Sequence, residues 1–84
     1  MALRFAADIS TAQTDYGTVL LDERSGQYWE LNPTATLIVE VLLAGKDEAA
    51  ATDAVVAEFD IDRERAQQDV TQLIAELRVS GLAA

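Results

Sequence analysis

The segment Gly-Thr-Val-Leu-Leu-Asp-Glu-Arg-Ser-Gly-Gln-Tyr-Trp-Glu-Leu-Asn-Pro, residues 17–33, constrains this chain more than any other. Two β-rich runs flank a polar, glycine-containing turn, and a proline stops the second run. That pattern predicts a hairpin leading into a helix. With Arg24-Ser25-Gly26 as a three-residue loop, Gly26 supplies a left-handed bulge position. Glu23 then faces Gln27, Leu21 faces Trp29 and Val19 faces Leu31. Directly opposed residues share a face, so Val19, Leu21, Trp29 and Leu31 form one apolar face. Thr18, Leu20, Asp22, Tyr28 and Glu30 form the other. A loop of two or four residues would exchange the faces of one strand.

Upstream, Ile9 to Thr14 alternate loosely with β-branched residues and predict a first strand, with a turn at Asp15-Tyr16-Gly17. Leu3 and Phe5 belong to an earlier strand or arm. Downstream, Asn32 is a natural N-cap and Pro33 suits the first helical position, where its missing N–H is not needed. The helix from Thr34 to Ala44 carries Leu37, Ile38, Val39, Val41, Leu42 and Leu43, so it is apolar nearly all round and should be central. Gly45 closes it. A second helix, about Asp47 to Phe59, begins with acidic residues that complement its dipole and turns Ala51, Ala54, Val55, Val56 and Phe59 inward. Asp60-Ile61-Asp62 breaks this second helix, its carboxylates being expected to cap the next one. That third helix, about Arg63 to Val79, sets Ala66, Val70, Leu73 and Leu77 on one stripe, with Ile74 on one shoulder and Asp69 and Glu76 on the other. The expectation is one α+β domain over residues 1–84: a three-stranded antiparallel sheet followed by three helices.

Composition removes most chemistries. The chain has neither histidine nor cysteine, so it lacks Ser–His, Cys–His and thiolate–zinc arrangements and any disulfide framework. Its four glycines are too scattered for a phosphate loop. No catalytic residue, metal site or cofactor site is expected, and the chain is not read as an enzyme. The net charge of −9, from 6 basic and 15 acidic residues, repels nucleic acid and anionic membranes. No secretory signal or membrane span is apparent, and the absence of cysteine suits the cytoplasm. A phosphopantetheine-type carrier is also excluded, because Ser10, Ser25 and Ser80 all lack the Asp-Ser-Leu setting that carries the arm.

What remains is the free side of the third strand. In a meander, the strand around Gln27 to Leu31 is an edge with unpaired main-chain groups. It lacks the lysine, proline or bulge that blunts unused edges. An extended peptide could add there as a further strand. The third helix, lying across the helix-side face of the sheet, would supply the second wall of a groove. Val70, Leu73, Ile74 and Leu77 would take apolar side chains, and Asp69 and Glu76 would meet polar or basic ones. On pattern alone Val70, Leu73 and Leu77 are most simply core residues, and Trp29 and Leu31 could equally be buried beneath the first helix; a residue can serve both roles at the groove's floor. The expected peptide-binding set is therefore Gln27, Tyr28, Trp29, Glu30, Leu31, Asp69, Val70, Leu73, Ile74, Glu76 and Leu77.

The 17–35 line, the helix ending in Leu-Leu-Ala-Gly45, and the later Asp69-Val70 with Leu73, Leu77 and Gly81-Leu82 together resemble the PqqD-like domains, the recognition elements for precursors of ribosomally made, modified peptides. The likeness spans about Ile9 to Leu82, and as a short free-standing chain it is most similar to the leader-binding proteins of lasso peptide biosynthesis. The resemblance implies a winged-helix-like fold and a leader docked as an antiparallel strand on strand three against helix three. It implies as partners a cysteine-protease-type leader peptidase and the cyclase that closes the core peptide. Three other readings stand beside it: delivery of a precursor to a radical-SAM enzyme, a winged-helix DNA-binding regulator, and self-pairing through the edge strand. The third helix offsets its arginines with Glu64, Asp69 and Glu76, which disfavours DNA.

Overall fold

The computed structural model describes residues 3–83. Three strands, β1 (Ile9–Thr14), β2 (Gly17–Asp22) and β3 (Tyr28–Leu31), precede three helices, α1 (Pro33–Leu43), α2 (Glu48–Phe59) and α3 (Arg63–Val79). The strands form an antiparallel meander in the order β1-β2-β3. The α+β architecture and every element expected from the sequence are present.

The hairpin register differs from the expected one. Thr18 pairs with Leu31, Val19 with Glu30, Leu20 with Trp29 and Leu21 with Tyr28. The loop therefore has four residues, Glu23 to Gly26, and closes at Asp22 and Gln27. Its geometry explains why. The Asp22 N–H donates to the Gln27 carbonyl (2.9 Å), and the Gly26 N–H donates to the Asp22 carbonyl (2.8 Å). The Asp22 carboxylate accepts the Arg24 N–H (3.0 Å), and the Ser25 hydroxyl accepts the Gln27 N–H (3.2 Å). Asp22, the last residue of β2, thus closes the turn with its side chain as well as its backbone, a use characteristic of Asp and Ser beside backbone N–H groups. Gly26, at φ 77°, fills the left-handed position. The shift leaves the faces of β3 as expected and exchanges those of β2. Thr18, Leu20, Trp29 and Leu31 face the helices, while Val19, Leu21, Tyr28 and Glu30 face away.

The helix starts follow local chemistry. Asn32 Oδ1 accepts the Ala35 N–H (2.8 Å) with Pro33 at the first turn of α1, and Asp47 caps α2 through the Ala50 N–H (2.9 Å). Asp60 and Asp62 do not cap as expected. Asp60 ends α2 with a left-handed backbone, and Asp62 sits at the N-cap position of α3 without a side-chain capping bond.

Helix α1 is the central helix, packing on β2, β3, α2 and α3. This corrects the expected place of α3. The near-continuous apolar surface of α1 lets it take the sheet on one side and both other helices on the other, so α3 lies on α1 and α2 instead of across the sheet. No Cα of α3 comes within 8 Å of β3. The core joins Leu20 and Leu31 of the sheet to Ile38, Val39 and Leu42 of α1, Ala51 and Val55 of α2, and Ala66, Val70, Ile74 and Leu77 of α3. Within α3, Ile74 is the buried member and Leu73 the half-exposed one, the reverse of the predicted stripe. Near the termini, the Leu3 side chain is buried, Phe5 bridges to Ala83, and the Ala6 N–H donates to the Leu82 carbonyl (2.8 Å). Leu3 and Phe5 therefore form the arm anticipated as one of two possibilities.

Candidate functional site

Alternation along an antiparallel ladder decides which main-chain groups of β3 are free. Asp22 and Gln27 form a hydrogen-bonded pair at the loop. Two residues on, Leu20 and Trp29 form the next, and Thr18 and Leu31 the one after. The Trp29 and Leu31 main-chain groups are thus directed to β2. Those of Tyr28 and Glu30 are directed to the open edge. The side chains alternate the other way. Leu31 is buried and Trp29 half-buried on the helix side, whereas Glu30 and the 65 % exposed Tyr28 stand on the outer face. Gln27 is exposed just before the strand, with its carbonyl committed to Asp22.

At the end of β3 the chain enters the wall of a groove of about 750 Å³. Asn32, Ala35 and Ile38 form its α1 side, Ile61 lies at the α2–α3 corner, and Leu73 is on its α3 side. Ile38 is fully buried, and Ile61 and Leu73 are half-buried, so the apolar part of the lining comes from Ile61 and Leu73. Asp60, Asp62, Asp69 and Glu76 also line the groove, against the single guanidinium of Arg65. Arg65 Nε lies 4.0 Å from Asp69 Oδ1, and Glu76 accepts a hydrogen bond from Gln72 Nε2 (3.0 Å).

Of the residues expected on α3, Asp69, Leu73 and Glu76 meet in this groove. Val70, Ile74 and Leu77 are instead buried in the core, which is the simpler use of an apolar helical stripe. The sequence reading missed Arg65 and Gln72, although both were recoverable. They stand four residues before Asp69 and Glu76, and residues four apart share a helix face. It also missed Asn32, Ala35 and Ile38, whose relation to α3 depends on tertiary packing.

Residues 17–83 match the family described as Coenzyme PQQ synthesis protein D (PqqD). The chain belongs to the PqqD family. Two solved structures place this PqqD domain more closely. One, described as lasso peptide synthetase B1 complexed with the leader peptide, is 44 % identical, with a TM-score of 0.92 over 100 % of this chain and 99 % of that one. The other, TbiB1 in complex with the TbiA(beta) leader peptide, is 26 % identical, with a TM-score of 0.83 over 95 % of this chain and 93 % of that one. No curated protein sequence matches the chain. Among the described residues no helix is long and apolar enough to cross a membrane, and no group of three or more acidic residues is arranged to hold a metal ion.

Proposed function

We propose that this PqqD domain binds the leader region of a ribosomally synthesised precursor of lasso peptide type, without catalysing a reaction itself. The observation that carries the reading is the full-length likeness, at 44 % identity, to a B1 protein bound to a leader peptide. The open main-chain groups of Tyr28 and Glu30 support docking of that leader as an antiparallel fourth strand on β3. Its residues opposite Trp29 and Leu31 then point to the helix side, where Asp69, Leu73 and Glu76 on α3 form the far wall. Val70, Ile74 and Leu77 support that wall from within the core.

A leader that is disordered when free must offset an ordering cost of roughly 2–5 kcal/mol. Apolar anchors against Trp29, Leu31 and Leu73 are suited to supply it, since main-chain bonds mostly replace bonds to water. Once held, the precursor is presented in the cytoplasm to a cysteine-protease-type leader peptidase, ahead of the cyclase, at a raised local concentration. The family description favours one other outlet, delivery of the precursor to an enzyme of quinone-cofactor maturation.

The test is a calorimetric titration with the synthetic leader of the precursor encoded beside this chain, followed in parallel by fluorescence of Trp29, the only tryptophan. The true leader binds saturably and a scrambled one does not. Leu73→Asn keeps the fold, because Leu73 is only half-buried, and weakens binding by about tenfold or more through loss of an apolar anchor. Undiminished affinity in the folded variant defeats the α3 assignment. Binding that leaves Trp29 fluorescence unchanged defeats the β3 assignment.

A further inference from the structure

Helix α3 is neutral as a whole, with Arg63, Arg65 and Arg78 set against Glu64, Asp69 and Glu76. Its charge is nevertheless unevenly placed. Two of the three acidic residues, Asp69 and Glu76, line the groove, together with only one arginine. The α2–α3 corner adds Asp60 and Asp62, and the Asp62 side chain is not engaged in capping its helix. The same lining includes Ile61 and Leu73, both half-buried, with Ile38 buried behind them. Half-buried apolar side chains beside carboxylates suit a long methylene stem ending in a cation, as in Lys and Arg.

We infer that the peptide segment entering this groove is basic, with a Lys or Arg laying its stem along Leu73 and its charge against Asp69 or Glu76, while Asp60 and Asp62 add to the negative field. The inference rests on the leader-binding reading and adds the chemistry by which the groove selects its occupant. Arg65 is then an opposing charge within the site. Its distance of 4.0 Å from Asp69 leaves that carboxylate weakly engaged and able to accept a cation from the peptide.

The experiment is a titration of the full chain with the same synthetic leader at several salt concentrations, using three variants. Asp69→Asn combined with Glu76→Gln weakens binding by roughly threefold to tenfold at low salt, the sum expected for two partly exposed charge pairs. The same double variant flattens the dependence of affinity on salt. Arg65→Gln strengthens binding, a gain that a damaged fold cannot imitate. A leader peptide whose Lys and Arg residues are replaced by Gln loses these responses. Unchanged affinity and salt dependence in the double variant and in Arg65→Gln overturn the inference, as does a leader without any Lys or Arg. The Leu73→Asn variant separates the two failures. If it weakens binding while the charge variants do nothing, leader recognition stands and only the basic segment is wrong. If the wild-type chain does not bind the leader at all, the functional reading itself has failed.

Discussion

At the scale of single residues, Gly17 carries a role that a turn signal does not disclose. Its φ is 146°, and a side chain there would overlap the Leu31 carbonyl oxygen. That oxygen belongs to the pair that ties the end of β3 to the start of β2. Gly17→Ala should therefore destabilise the chain by about 3 kcal/mol or more, combining backbone strain with a steric clash. Gly26→Ala, at φ 77° with open space around it, should cost only about 1–2 kcal/mol. Urea unfolding of both variants checks the order, and equal losses would refute the steric account. The sequence marked both glycines as turn residues. It could not rank them, because the Leu31 oxygen is fourteen residues from Gly17 and reaches it only through the strand pairing. Asp22 teaches the same lesson in reverse. Its preference for turn bonds was available locally, and reading Asp22 as the residue that closes the turn, with Glu23 given to the loop, would have set the register correctly.

At the scale of elements, existence and order were legible because each rests on a local signal: alternation for the strands, Asn32-Pro33 for the start of α1, and helical spacing for α3. Packing was less legible. The apolar stripe gave the buried side of α3 only to within Leu73 and Ile74, and not what it packs against; the central place of α1 was expected, yet it did not by itself take α3 off the sheet. The edge strand lies between these cases. Its openness followed from the meander order, while the identity of its free groups required the observed register. With Tyr28 and Glu30 directed outward, Glu30→Pro removes an N–H that β2 does not use, a position where an edge strand tolerates proline. The variant should fold, as judged by circular dichroism, yet bind the leader about tenfold more weakly, because a leader carbonyl loses its donor. Glu30→Ala should retain affinity within roughly the net contribution of one surface charge. Normal binding by a folded Glu30→Pro chain would place the leader off this edge.

At the scale of the whole molecule, the N-terminal arm and the groove lie at opposite ends of α1 and on different faces of α3. The N-terminal arm seats Leu3 beside Leu42 and Ile74, near the ends of α1 and α3. The groove uses Asn32 to Ile38 at the start of α1 and Arg65 to Glu76 on another side of α3. Leu73 and Ile74, adjacent in sequence, divide the two regions. The arm is held by burial of Leu3 and by the Ala6–Leu82 bond, so it should matter for stability and not for recognition. Leu3→Ala should lower stability by about 2–3 kcal/mol, toward the low end for a buried leucine because an arm can shift to fill the gap. For a chain of this size that corresponds to a fall in melting temperature of roughly 10–20 °C. Leader affinity, measured well below the new transition, should stay within about twofold of the parent. A large loss of affinity at unchanged stability would mean that the arm reaches the docking site, and that α3 does not separate the two regions as its packing indicates.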